Sequence, residues 1–118
     1  MKLTMVSIDD DITRIQTEGD ITQMDFRAGT DVLCNLLGAD CYKRKVLLSL
    51  EKTSYIDSTA VGWIIRCHKH CKEAGGKFVI HSISPSVLQL LRLLHMPAIL
   101  HMAENDAAAR ALAVGVQQ

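Results

Sequence analysis

The sequence lacks any excess of charge: thirteen Lys and Arg balance thirteen Asp and Glu across 118 residues, for a formal net charge of zero. No long-range field therefore recruits nucleic acid, an anionic membrane or a strongly acidic substrate. It also lacks a long apolar run. Stretches such as VLLSL and VLQLLRLLHM fall well short of the roughly 20 apolar residues that span a bilayer, and the opening MKLTMVSIDDD has no signal-peptide apolar core. The expected setting is the cytoplasm, without membrane insertion. Cys34, Cys41, Cys67 and Cys71 could form two bridges in an exported protein, but without an export signal reduced thiols are expected. There is no GxxxxGK phosphate loop, no internal repeat, no low-complexity segment and no linker. No cofactor is implied, and residues 1–118 read as one domain with one core.

What is present is an alternation of short elements. Leu3, Met5 and Ile8 lie among polar neighbours, and Ile12, Ile15 and Thr17 follow a DDD turn, which predicts a hairpin ended by Gly19 and Asp20. Phe26, Val32, Leu33, Leu36 and Leu37 recur at helical spacing and predict a first helix over 25–37, weakened by Gly29 and capped by Gly38. KVLLSL, residues 45–50, suits a central strand buried on both faces. Residues 59–74 place Ala60, Val61, Ile64, Cys67, His68 and Cys71 on one helical face, closed by Gly75 and Gly76. KFVIH, residues 77–81, reads as another buried strand. Ser84-Pro85 then starts a third helix with a hydroxyl cap, with Val87, Leu91 and Leu94 on its core face. Pro97 stops that helix, Ile99 and Leu100 suit a short strand, and Asn105 or Asp106 caps a final Ala-rich helix. The expected fold is α/β: a mixed central sheet of about five strands with about four helices packed on it.

The most informative segment is residues 46–78, VLLSLEKTSYIDSTAVGWIIRCHKHCKEAGGKF. A buried strand runs through a short loop into Asp57-Ser58 and directly into a helix. Ser58 and Thr59 then stand at the carboxyl end of a strand and the positive end of a helix, where backbone N–H groups lack partners and a phosphate is well received. In sequence order, Tyr55, Ile56, Asp57, Ser58, Ala60, Val61, Gly62 and Ala74-Gly75-Gly76 resemble the signature of the STAS domain family, in particular its anti-sigma-factor antagonists. The resemblance extends to Gly19-Asp20-Ile21 and to Ser84-Pro85 with the Leu-rich third helix, and so covers most of the chain. Two positions depart from the common pattern: Ser49, where many members have an acidic residue, and Ala60, where they have glycine.

The resemblance implies a phospho-regulated protein–protein switch and no enzyme. Ser58 is the position phosphorylated by a partner that is both anti-sigma factor and serine kinase, and a phosphatase restores it. The unphosphorylated form binds the anti-sigma factor, and the phosphorylated form lets go. Asp57, Thr59 and Gly62 surround the phosphosite, and Asp20, Ile21, Trp63 and Arg66 are partner-binding candidates. A scaffolding STAS subunit of a signalling or lipid-transport ATPase assembly, needing no phosphorylation, is the alternative.

Several features have plainer readings. Asp57 and Ser58 are both ordinary helix caps. Cys67, His68 and Cys71 share a helix face, but they lack the C-x2-C spacing of a metal knuckle and fall on the side that packs against the sheet, so no metal is expected. Trp63 lies off the core face, one turn beyond Ser58, and reads equally as an exposed interface anchor or as packing against a neighbouring helix. Leu90 reads as core; Leu93 could be surface or groove. The five histidines are scattered, none beside Ser58 with an orienting carboxylate, which gives no basis for catalysis.

Overall fold

A computed structural model describes residues 1–9 and 11–115; Asp10 of the DDD turn lies outside the described residues. The hairpin forms as expected, with β1 (Lys2–Asp9) antiparallel to β2 (Ile12–Glu18). Three parallel strands follow: β3 (Lys45–Lys52), β4 (Lys77–His81) and β5 (His101–Ala103). The spatial order is β1-β2-β3-β4-β5, which makes β3 the middle strand. Four helices accompany them: α1 (Val32–Leu37), α2 (Ser58–Ala74), α3 (Pro85–Leu93) and α4 (Asp106–Ala113).

The strand pleat divides the core in two, because successive side chains point to opposite faces. Val46, Leu48 and Leu50 join Phe78, Ile80 and the apolar faces of α1, α2 and α3 in the larger cluster. Leu47 and Val79 point the other way and meet Ala109 and Ala113 of α4, with Ile12. The alanines let α4 lie close to the sheet, and Arg14 fixes its first turn, its Nε donating to Asp106 Oδ1 at 2.8 Å and its Nη2 to Oδ2 at 3.3 Å. Both faces of β3 are therefore covered, which is why KVLLSL is almost continuously apolar.

Four local expectations need correction. The helix expected over 25–37 is split. A three-residue turn, Gln23–Asp25, is closed by a capping box of Thr22 and Asp25, and the chain then runs extended through Phe26. Gly29 sits at φ +77°, and α1 starts only where Asp31 accepts the Cys34 amide. The strand expected at Ile99 and Leu100 is displaced to His101–Ala103, because both amides are spent on the Met96 carbonyl in a tight turn. Ser84 precedes α3 as expected, but its hydroxyl makes no cap and reaches back to another loop instead. Cys34 and Cys41, expected as free thiols, are joined as a disulfide with Cα atoms 5.4 Å apart; α1 and the turn Cys41–Lys43 fold back on one another and bring them together. Leu90 packs against the core and Leu93 is 70% exposed.

The end of α2 shows why two glycines stand there. Gly75 adopts the left-handed conformation that closes the helix, at φ +90°, whereas Gly76 has no room for a side chain. A Cβ on Gly76 would overlap the backbone carbonyl oxygens of Tyr42 and Arg44, and the adjacent Lys77 amide donates to that same Arg44 carbonyl at 3.0 Å. Gly75→Ala should cost about 1–2 kcal/mol, the strain of a left-handed non-glycine residue. Gly76→Ala should cost about 3 kcal/mol or more, because backbone must move. Urea unfolding of the two variants should give that order, and equal losses would refute the crowding argument.

Candidate functional site

The site is built where β3 ends. The β2–β3 pairing continues past the strands: the Gly19 amide donates to Lys52 O at 3.0 Å, Ile21 to Tyr55 O at 3.0 Å and Asp57 to Ile21 O at 3.2 Å. Ile21 and Ile56 form an isolated parallel bridge, and both are buried. Hydroxyls secure the intervening loop. Thr17 and Thr53, both fully buried, pair through their Oγ1 atoms at 2.6 Å. Ser84 Oγ donates to Thr53 O at 2.6 Å and Ser86 Oγ to Ser54 O at 2.7 Å. A buried hydroxyl is costly unless paired, so these contacts hold the loop from below and from the side of α3.

Asp57 is the N-cap of α2. Its Oδ1 accepts the Ala60 amide at 2.9 Å, and its Oδ2 accepts the Gln23 amide at 2.9 Å from the turn after β2. One carboxylate thus joins two chain segments. Ser58 is the first residue of the helix, exposed, with Thr59 half-buried beside it. Among the described residues, the Ser58 and Thr59 amides find no acceptor while those of Ala60 and Val61 are spent on Asp57. Two free donors and the positive end of a seventeen-residue helix therefore lie next to an accessible hydroxyl.

Ser58, Gly62 and Arg66 follow at four-residue intervals and occupy one stripe of α2. Arg66 is exposed, and its Nη1 lies 3.5 Å from where a Cβ on Gly62 would stand, so the guanidinium folds back over the glycine toward Ser58. The absent side chain at Gly62 makes that approach possible. Ser49, one of the two departures from the family pattern, lies half-buried between Leu48 and Leu50 and points to the α4 side of the sheet.

Two partner-binding candidates are not available as side chains. Ile21 is fully buried by its bridge to Ile56, and Trp63 is 5% exposed. Trp63 packs against Phe26 with ring centroids 5.5 Å apart. The extended segment carrying Phe26 covers this side of α2, so the helix is buried on two faces and not one. Asp20 and Arg66 remain exposed. Two apolar side chains that sequence patterning passes over are exposed here instead: Met24, at 88%, on the turn that binds Asp57, and Tyr55, at 55%, in the loop before Ser58. Their signal was available, since each sits among polar residues in a segment with no helical or strand period.

Burial raises the Cys67 thiol far above its usual range and pushes Cys71 up to about 11. Both therefore stay protonated at neutral pH and pack as small apolar groups. Among the described residues, Asp31, Cys34 and Cys41 bring potential ligand atoms together, but the two sulfurs are bonded to each other and the Asp31 carboxylate is taken by the Cys34 amide and the Tyr42 hydroxyl.

Two stability predictions follow from these contacts. Asp57→Ala removes a cap and the Gln23 tie and should cost about 1–2 kcal/mol, while Asp57→Asn, itself a good cap, should cost less. Trp63→Ala should cost about 3–5 kcal/mol, as for a large core aromatic. Urea titration measures both; an unchanged midpoint for Trp63→Ala would return that residue to the surface.

Comparison with known proteins places these features in a family. Several solved structures share the fold, three of them as follows. One is a candidate anti-sigma factor antagonist from Thermotoga maritima, with TM-score 0.79 and 20% identity over 92% of each chain. Another is a STAS domain protein from Planctomyces limnophilus, with TM-score 0.68 and 19% identity over 95% of this chain and 97% of that one. The third is the Bacillus cell-fate determinant SpoIIAA in its phosphorylated form, with TM-score 0.64 and 13% identity over 94% and 99%. The family model for the STAS domain matches residues 3–109, which span β2 to β5, all of β1 but its first residue, and the Ser58 turn, and the chain therefore belongs to the STAS domain family.

Proposed function

We propose that this protein is an anti-sigma-factor antagonist whose binding to an anti-sigma factor is switched by phosphorylation of Ser58. The observation that carries the proposal is the placement of Ser58: an exposed hydroxyl at the first position of α2, beside two unpaired amides and in line with Arg66. A solved relative described as an antagonist, and SpoIIAA solved in a phosphorylated form, support the reading. The partner is an anti-sigma factor with serine kinase activity, a phosphatase reverses the modification, and the setting is the cytoplasm. The chain is a substrate in this scheme and carries out no catalysis of its own. No described helix is long and apolar enough to cross a membrane, which accords with a freely diffusing switch.

A phosphoserine adds about −1.5 to −2 charges, and the helix dipole stabilises a negative group at this end by about 0.3–1 kcal/mol. Asp57 is the nearby negative group, and its two amide bonds hold it in place. The fold therefore accepts the phosphate. A partner seated on Met24, Tyr55, Asp20 and Arg66 has to desolvate that phosphate or face it with its own charges. Losing about 1.4 kcal/mol already lowers occupancy tenfold.

The test uses three immobilised baits in extract of the native cells: wild type, Ser58→Ala and Ser58→Asp. Wild type and Ser58→Ala should retain an ATP-binding serine kinase that Ser58→Asp loses. Given ATP, that kinase should phosphorylate Ser58 of the wild type and leave Ser58→Ala unmodified. Equal capture by all three baits, or no phosphate on Ser58, sinks the switch.

A further inference from the structure

Far from Ser58, at the end of the sheet where β3 and β4 begin, the structure contains a second concave site. Lys45 and Lys77 pair at the starts of these strands, whereas Ser58 follows the far end of β3. The cavity measures about 350 Å³ and is lined by His68 and Lys72 of α2, Lys77 and Phe78 of β4, and Ile99 and His101 at the entry to β5. Among the described residues, no acidic side chain lines it. The two imidazole rings meet edge to face with centroids 5.0 Å apart.

Four basic side chains in one hollow are unexpected in a chain of zero net charge. Among the described residues, Arg14, Lys52 and Arg44 are paired with carboxylates, whereas His68, Lys72, Lys77 and His101 are not. The groups acting on the histidines say the same. Burial lowers His68 first, then Lys72; burial lowers His101 first, then His68, Lys77 and Lys72. No carboxylate offsets them. Two ammonium charges beside two imidazoles able to take up protons make a hollow that an anion stabilises.

We propose that this cavity binds a small soluble phosphorylated molecule, its phosphoryl group held between His68, Lys72, Lys77 and His101 and its organic part against the exposed side chain of Ile99. The volume lies in the range of small-molecule sites and exceeds what a bare phosphate needs. Side chains carry the recognition, because the nearby amides are occupied: that of Gly76 donates to Cys71 O and that of Lys77 to Arg44 O. Lys77 also donates to Leu112 O of α4 at 3.2 Å, which commits one of its three ammonium protons and leaves two.

The sign of the pH response follows. Both histidines titrate below their ordinary value and are neutral at neutral pH. An anion favours their charged forms, so binding takes up protons and tightens as pH falls. Sulfate keeps two charges throughout and isolates this effect from the titration of phosphate.

The experiment follows the imidazole resonances of the full chain by NMR during titration with inorganic phosphate, sulfate and glycerol phosphate. Resonances of His68 and His101 should move saturably while those of the buried His81, at the other end of β4 from Lys77, stay still, and sulfate should bind at least about tenfold tighter at about pH 5.5 than at about pH 7.5. Lys72→Gln, on an exposed helix position, and His101→Gln should each weaken phosphate binding about tenfold with little change in melting temperature. Shifts spread over all histidines, or unchanged binding in both variants, overturn the site. Retention by phosphatidate vesicles without binding of glycerol phosphate overturns the soluble ligand in favour of a lipid headgroup.

Discussion

The Asp57 carboxylate is the joint on which the functional end of this domain depends. One oxygen holds the first turn of α2 and the other holds the turn that follows β2, so two segments far apart in sequence are fixed by a single side chain. A serine or threonine cap could satisfy the helix but offers one oxygen where two are needed here. Its position also decides the register of everything after it. Because Asp57 is the cap, Ser58 is forced into the first helical position, where its side chain is outside and its amide is spare.

The hydroxyl pairs below this joint explain how so short a loop stays in place without an apolar core of its own. Residues 53–57 carry one fully buried polar side chain, Thr53, and its partner Thr17 comes from the neighbouring strand. Ser84 and Ser86 then fasten the loop carbonyls to the start of α3. The site thus rests on β2, β3 and α3 together, and a charge added at Ser58 meets a scaffold fixed by bonds that do not involve Ser58. That is the physical condition for a surface switch: the modified group changes what the surface presents while its supports remain as they were.

Much of this was legible in the sequence, and the exceptions share a cause. KFVIH reads correctly as a strand over Lys77–His81, and the span of α2 is right within one residue at its start, because local period and caps decide both. Ser58 could be placed for the same reason, since an Asp-Ser pair between an apolar strand and an amphipathic run has few local alternatives. Trp63 and Ile21 could not be placed, because their surroundings come from elsewhere. Phe26 covers Trp63 from a segment that looks helical by spacing but is held extended, and Ile56 covers Ile21 through a bridge outside either strand. The Cys34–Cys41 bridge and the Ser84 hydrogen bond also depend on how the chain returns on itself. Single-sequence periodicity carries no information about such returns.

The burial of Trp63 changes where recognition can occur. With the indole inside, the exposed surface around Ser58 consists of Met24 and Tyr55 on either side of the Asp57 joint, Asp20 at the end of β2, and Arg66 lying over Gly62. Met24 and Tyr55 are an adaptable side chain and an amphipathic one, a pairing suited to contact with another protein. Met24 is one residue from the amide that Asp57 holds, so the cap that positions Ser58 also positions an apolar contact beside it. Chemistry and contact surface are therefore coupled through one carboxylate. Under the proposed switch, a phosphate on Ser58 would bring its charge to the end of the domain where Met24 and Tyr55 are exposed, and release would need no movement of either.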